Sequence, residues 1–403
     1  MTNVNWTARY ADVITALPHL VADAPVTLCG LGACIDARVL LEDIGPMLDS
    51  TVPQAVALGR LLQTRARDGK GGELAYDWPE GPIWISQNLP VLYSLGGTGP
   101  HAAWVLSALG APALLALENR SDKMLKLVPE DVLLAEGGDI VRAAAAKPSR
   151  GERPCVFIFE YTAGMAIGDV VPSRSSRVIV RFADLGLERD DAFDLVSTRM
   201  AQQAGAGLVS GFTAVPPENL DVELRRVTAL ARGWRTAGLR TVHLELAGYD
   251  ALDHAEKVLD GLKGCVTSVG MSESEFKAIR RTTSVTWEEM TEFGDRMDVD
   301  RICIHADQWA AAVTRRDVGV ERSALMAGCL VASTRAGVGK PAFPAALDPS
   351  ARFEDVPFSQ RASANGWQFA SCAAPYIRRP KTTLGLGDTF TAGCLLVLGQ
   401  RSC

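Results

Sequence analysis

Little in this 403-residue sequence ties it to a membrane, a nucleic acid or an oxidising compartment. No apolar run approaches the ~20 residues of a spanning helix. The longest, Gly110-Ala-Pro-Ala-Leu-Leu-Ala-Leu117, is short and interrupted by proline. The start, Met1-Thr-Asn-Val-Asn-Trp-Thr-Ala-Arg-Tyr10, lacks the basic-then-apolar pattern of a secretory leader. Basic excess is missing as well. A formal net charge of −6 argues against nucleic acid or an anionic membrane as the main partner. Among the nine cysteines there is no CxxC and no Cys/His pair at metal-ligand spacing. Most of them (Cys29, Cys34, Cys265, Cys303, Cys329) sit inside apolar runs, as free core thiols of a reducing cytoplasm do. Sequence repeats and low-complexity tracts are also absent.

What is present is ordinary globular composition, 47% hydrophobic and 22% charged. The length suits one large α/β domain with a smaller appended unit. Short apolar, β-prone runs alternate with helical patterns, which predicts a mostly parallel sheet with helices on its faces. Strands are expected at Val26–Gly30, Gly207–Gly211, Thr241–Ala247, Cys265–Val269 and Arg301–His305. Leu220, Leu224, Val227, Ala231 and Trp234 recur at helical spacing after Asn219, a candidate N-cap. Two stretches break the alternation. Residues 38–95 show few clean helices, and residues 152–184 read as two strands joined by a Gly/Pro/Ser segment. Both are expected to be strand-built insertions forming a lid over a core of residues 1–37, 96–151 and 185–403, although a plain surface hairpin would look similar.

The strongest local signal is Thr383-Leu-Gly385-Leu386-Gly387-Asp388-Thr-Phe-Thr-Ala-Gly393. Phe390, Cys394, Val397 and Leu398 then share a helical face, which puts Asp388 at a helix N-terminus. Glycines there let backbone N–H groups approach a ligand, and the helix dipole favours an anion. A carboxylate inside an anion site suits a base that accepts the proton of a hydroxyl attacking a bound phosphoryl group. Read alone, Asp388 could equally be a simple N-cap.

Gly-Leu-Gly-Asp-Thr near the C-terminus resembles the signature of ribokinase/PfkB-type kinases, and is most similar to the ADP-dependent glucokinase/phosphofructokinase family. Further stretches fit that family in order. Gly30-Leu-Gly-Ala-Cys-Ile-Asp36 resembles its first-strand turn, which implies that Asp36 binds acceptor hydroxyls. A dinucleotide fingerprint fails there, because Ile35 stands where a third glycine is needed. Ser94-Leu-Gly96-Gly97-Thr98-Gly99-Pro100-His101 resembles the substrate loop, with Thr98 where Asn or Gln is common. His101 reads either as a ligand or as a satisfied helix residue. His243-Leu-Glu245 resembles the family's His-x-Glu, and Gly270-Met-Ser272-Glu-Ser-Glu275 its Gly-Leu-Asn-Glu-x-Glu, with Ser272 in place of Asn. Those matches imply that Glu245 and Glu275 organise a magnesium shell.

The resemblance therefore implies a ribokinase-like three-layer α/β/α core with a small β-rich lid. It also implies a cytoplasmic, magnesium-dependent phosphotransferase with Asp388 as base. The Gly385, Leu386 and Gly387 amides, with Arg177 of the lid, would hold the transferring phosphoryl group. Asp36, Gly96, Gly97, Thr98 and His101 would hold a sugar, sugar phosphate or nucleoside-like acceptor. ADP is the expected donor, with an ATP-dependent ribokinase-type enzyme or a non-catalytic binding relative as alternatives. The partners are then a nucleotide and a small hydroxylated acceptor, the chain acting as a monomer or small homo-oligomer. Arg174 and Arg301-Ile-Cys-Ile-His305 are weaker echoes. Ala336-Gly-Val-Gly339-Lys340 is not a phosphate-binding Walker loop, since Thr334 replaces its first glycine and Pro341 follows the lysine.

Overall fold

A computed structural model describes residues 4–149, 152–184, 186–249, 251–358 and 363–401. Its first strands are β1 (Thr27–Cys29), β2 (Cys34–Leu40), β3 (Gly72–Ala75), β4 (Leu92–Gly96), β5 (Ala113–Leu115), β6 (Leu133–Glu136), β7 (Asp139–Arg142), β8 (Val156–Tyr161) and β9 (Ser176–Arg181). There follow β10 (Ala206–Val209), β11 (Thr241–Glu245), β12 (Ser268–Ser272), β13 (Arg301–His305), β14 (Trp309–Thr314), β15 (Ser363–Ala364) and β16 (Trp367–Ala373).

The larger sheet runs β15-β16-β14-β13-β12-β11-β10-β1-β5-β6-β7. From β13 to β6 it is parallel, with antiparallel strands at both margins. The parallel strands β1, β10 and β11 are buried throughout, as strands covered by helices on both faces must be. One face packs against helices Leu220–Thr236, Leu252–Leu262 and Trp287–Met297. The other packs against Thr98–Leu109, Val318–Val338 and Leu386–Leu398. That is a three-layer α/β/α sandwich.

The spacing after residue 219 behaves as expected: Leu220, Leu224, Val227, Ala231 and Trp234 are all buried on one face. Asn219, however, caps nothing with its side chain. A 3-10 turn, Pro217–Asn219, leads into the helix instead. Nor does a strand start at Cys265. The helix ends at Leu262, and the Cys265 N–H turns back to its carbonyl at 2.9 Å, so pairing begins at Ser268.

The smaller sheet runs β3-β9-β8-β2-β4 and has its own core. It is not built of strands alone. Residues 53–67 form a helix, Pro53–Arg67, with proline in its first turn and Ala55, Leu58, Leu62 and Ala66 facing Ala37, Val39, Phe157 and Phe159. Asp36 belongs to this sheet: the chain passes from β1 straight into β2, so Asp36 lies beside Ser94 and Val156 and not in a loop. The expected segment boundaries at 151 and 185 lie outside the described residues. Among the described residues no helix is long and apolar enough to cross a membrane.

Candidate active site

The segment Thr382–Asp388 enters the helix Leu386–Leu398 through Gly385, whose φ of 63° lies in the left-handed region that side chains disfavour. A Cβ at Gly385 would stand 2.7 Å from Arg335 Nη1. The first helical bond runs from the Thr389 N–H to the Gly385 carbonyl at 3.0 Å. The amides of Leu386, Gly387 and Asp388 precede it and belong to the N-terminal group that a helix leaves for other partners. Glu160 on β8 fixes the approach to this turn. Its Oε1 accepts the Thr383 N–H at 2.6 Å and the hydroxyls of Thr383 and Thr382 at 2.8 and 3.1 Å, while Arg38 on β2 pairs with Oε2. The small sheet thereby grips the turn directly.

Asp388 lies in the first turn of its helix. Burial raises its carboxyl above the ordinary range, against a hydrogen bond from Thr98 and the charge of Arg335. Thr98 opens the helix Thr98–Leu109 after Gly97. Across from it, Asp36 is 4% exposed and pushed up to about 8 by burial, opposed by a hydrogen bond from Cys34 at 3.5 Å. The Asp388 charge raises it further, while Arg335 and Arg177 pull it down. Gly96 passes so close that a Cβ would collide with the Asp36 carboxylate. His101 Nε2 stands 3.6 Å from Asp36 Oδ2, and burial holds the imidazole well below its ordinary pKa.

Arg335, from the helix Val318–Val338, is the residue that sequence reasoning missed. It is 3% exposed and donates through Nη1 to the Gly385 carbonyl (3.2 Å) and the Thr389 hydroxyl (2.9 Å). Nη2 lies 3.3 Å from His101 Nδ1. It stood inside the segment set aside as a failed Walker loop. Its signal was an arginine within an otherwise small and apolar stretch. Arg177 on β9 sits opposite Glu160 in the sheet register, with a buried Nε that finds no partner among the described residues. Arg174 instead forms an exposed pair with Asp307 at 3.3 Å and stands apart from this group.

The glutamates lie deeper. Glu245 Oε2 is 2.8 Å from His243 Nε2, and Oε1 is 3.2 Å from His305 Nε2. Burial by itself would raise the Glu245 pKa, but the two histidine contacts outweigh it and hold the carboxylate down to about 2. His305 is lifted to about 8 by the same pairing, against its burial. His305 also stacks toward Phe390 at 5.0 Å and lies beside Gly387, linking Glu245 to the turn. Behind His243 the chain continues through Ser268 (2.7 Å) to Arg301, which is held by Glu321 at 2.9 Å.

Glu275 has a local task. Its carboxylate accepts the Ser272 N–H at 2.7 Å while the Ser272 hydroxyl accepts the Glu275 N–H at 3.3 Å, a capping box on the helix Glu273–Arg280. Ser-x-x-Glu is a legible capping signature, and it accounts for Ser272. Among the described residues no cluster of three or more His, Cys, Asp or Glu side chains is arranged to hold a metal ion.

Asp36, Thr98, His101, Arg177, Arg335, Asp388 and the Gly385–Gly387 turn thus converge where the two sheets meet. The model of the ADP-specific phosphofructokinase/glucokinase conserved region matches residues 25–397. No curated protein sequence matches the chain. A hypothetical ADP-dependent phosphofructokinase from Pyrococcus horikoshii OT3 is similar in structure, with a TM-score of 0.73 at 19% identity, covering 94% of this chain and 98% of its own. An ADP-dependent kinase in complex with fructose-6-phosphate and ADPβS gives 0.78 at 16% identity over 99% of both chains. A last common ancestor of ADP-dependent phosphofructokinases from Methanosarcinales gives 0.72 at 16% identity, also over 99% of both.

Proposed function

This chain belongs to the ADP-specific phosphofructokinase/glucokinase family, and from that premise we propose that it transfers the terminal phosphoryl group of ADP to a sugar hydroxyl presented to Asp388. Its class, an ADP-dependent carbohydrate kinase of ribokinase-like fold, follows from membership. The observation that carries the finer reading is the position of Asp388. A carboxylate in the first turn of a helix, just after a left-handed glycine, faces the acceptor loop through Thr98.

In this reading the sugar lies between Asp36, Gly96, Gly97, Thr98 and His101. Its attacking hydroxyl is oriented by Asp388, which takes the proton as the bond to phosphorus forms and that to the leaving phosphate breaks. In a loose transition state proton removal comes late, so orientation is the larger contribution. The Leu386 and Gly387 amides and the guanidinium of Arg177 supply positive potential to the transferring group. The small sheet, tied to the turn through Glu160, excludes the water that would otherwise compete. Magnesium fits as an ion carried with the nucleotide phosphates and held largely through water, since it keeps much of its hydration shell. Glu245, ionised although buried, would favour that ion electrostatically, and Glu275 from farther back. Both carboxylates already serve protein donors, so neither is proposed as a direct ligand.

The test pairs the parent with Asp388→Asn, using ADP and ATP as donors and glucose and fructose 6-phosphate as acceptors. ADP should support the higher kcat/KM. The variant should lose about a hundredfold or more in kcat with its melting temperature and nucleotide binding nearly unchanged. Comparable turnover in variant and parent would remove Asp388 as the base, and a tenfold preference for ATP, about 1.4 kcal/mol, would overturn the donor.

A further inference from the structure

This inference rests on the kinase reading above and concerns the buried cation that no motif explains. Arginine carries only N–H donors and stays charged; Arg335, although pulled down to about 10 by burial, is still a cation at neutral pH. Its Nη2 lies 3.3 Å from His101 Nδ1, a contact that holds only if Nδ1 presents a lone pair. His101 is itself neutral, 2% exposed and kept from protonating by burial and two neighbouring guanidinium groups. Its one ring proton therefore sits on Nε2. Among the described residues that atom has no hydrogen-bond partner, and at 3.6 Å from Asp36 Oδ2 it is beyond ordinary hydrogen-bond length. A buried N–H thus stands beside a buried carboxyl that it does not reach directly.

We propose that Arg335 is a positioning residue for acceptor recognition: it fixes His101 in the Nε2–H tautomer, so that His101 and Asp36 together grip a sugar hydroxyl. A hydroxyl both donates and accepts, matching His101 Nε2–H and the ionised form of Asp36, the form that the charges of Arg335 and Arg177 favour. The ligand class follows: a polyol carbon bearing free hydroxyls at this point, not an ether or a deoxy position. Losing one member of such a buried set leaves the other unpaired, which is how enzymes reject analogues lacking a hydroxyl. The other side of the guanidinium holds Gly385 and Thr389. One rigid group therefore sets the distance between the bound sugar and the turn bearing Asp388. Trp104 stacks on His101 at 6.2 Å and lies under Arg335 at 5.5 Å, which limits both from rotating.

The test reads the tautomer directly. Long-range nitrogen–proton correlation on protein labelled at its five histidines, with His101 assigned through His101→Gln, should show a neutral ring protonated at Nε2. Arg335→Met should shift that pattern, whereas Thr389→Val, which removes only the turn contact, should leave it. In kinetics, Arg335→Met should raise the acceptor KM about tenfold and more than the ADP KM, and in a His101→Gln background it should add little to that KM. A parent His101 protonated at Nδ1 or doubly protonated would overturn the proposal. So would an unchanged pattern in Arg335→Met, or equal losses of both substrate affinities. The tautomer is read without turnover, so it decides this proposal even where glucose and fructose 6-phosphate both fail as acceptors, an outcome that would count against the kinase reading alone.

Discussion

Replacing Glu160 with Gln should loosen the catalytic turn without unfolding the protein. Glu160 Oε1 accepts three hydrogen bonds, from the Thr383 amide and from the Thr382 and Thr383 hydroxyls, at 2.6, 3.1 and 2.8 Å. The residue is 4% exposed, so water cannot easily replace these contacts. A charged acceptor contributes about 1.5–3 kcal/mol per bond and a neutral one about 0.5–1.5. Glutamine preserves shape and can keep Oε1 in place, so each bond weakens by about 1 kcal/mol. Because all three share one oxygen they will not add fully, and about 2–3 kcal/mol for the set is reasonable. The amide also turns its N–H groups toward Arg38, which loses its ion partner. Local opening at Thr383 should therefore become about 30- to 150-fold more frequent. Hydrogen–deuterium exchange on a peptide spanning residues 380–390 measures this, with the helix Leu220–Thr236 as internal reference. The turnover number should fall, since the turn carrying Asp388 no longer rests on the small sheet. Unchanged exchange at 380–390, or faster exchange everywhere, would refute the idea that Glu160 acts locally.

Two further outcomes follow from the buried acids. Asp36 is lifted from 3.8 to about 8, so between those values the folded chain binds a proton that the unfolded chain lacks; its contribution to stability falls as pH rises through that window. Asp36→Asn removes this component, so the variant's melting temperature should gain on the parent's from about pH 4 to about pH 8, and parallel curves would exclude it. Glu245→Gln should raise the magnesium concentration for half-maximal rate and release His305 from its pairing, whereas Glu275→Gln should chiefly lower the melting temperature by weakening a capping box; the reverse assignment of the two effects would refute the placement of charge argued here.

Much of this arrangement is legible in the amino-acid sequence, for physical reasons. Parallel strands buried on both faces leave continuous apolar runs, so Thr27–Cys29 and Ala206–Val209 stand out. The Gly385–Asp388 turn is legible because a left-handed backbone restricts residue choice to glycine. The helix Pro53–Arg67 was overlooked although Ala55, Leu58, Leu62 and Ala66 keep helical spacing, because glutamine and arginine between them dilute the pattern. Arg335 and Glu160 were harder. Each acts across fifty residues of chain or more, on Gly385, Thr389, His101 and Thr383, and no local pattern encodes such a meeting. Glu275 shows the converse: a family position matched by sequence carries a local capping role visible in its own four-residue neighbourhood.

The distribution of charge around the turn bears on how such a site could work. The charges of Arg335 and Arg177 pull down the pKa of both Asp36 and Asp388, and the two carboxylates in turn raise that of Arg335. Opposite charges so near in a poorly hydrated space would ordinarily collapse into direct pairs. Arg335 does not. It donates to a carbonyl and a hydroxyl and meets a neutral imidazole, and its Nε finds no partner among the described residues. The guanidinium is thus fixed by uncharged groups, and its positive potential is not spent on a carboxylate. Asp36, for its part, contacts a thiol and a neutral imidazole edge. Burying these groups without direct ion pairs costs stability, and burial is the main cause of the raised Asp36 and lowered Arg335 values. A phosphoryl group transferred at the Gly385–Gly387 turn, as proposed above, would meet a cation that need not first break an ion pair or rotate, which is the condition under which preorganised charge lowers a barrier.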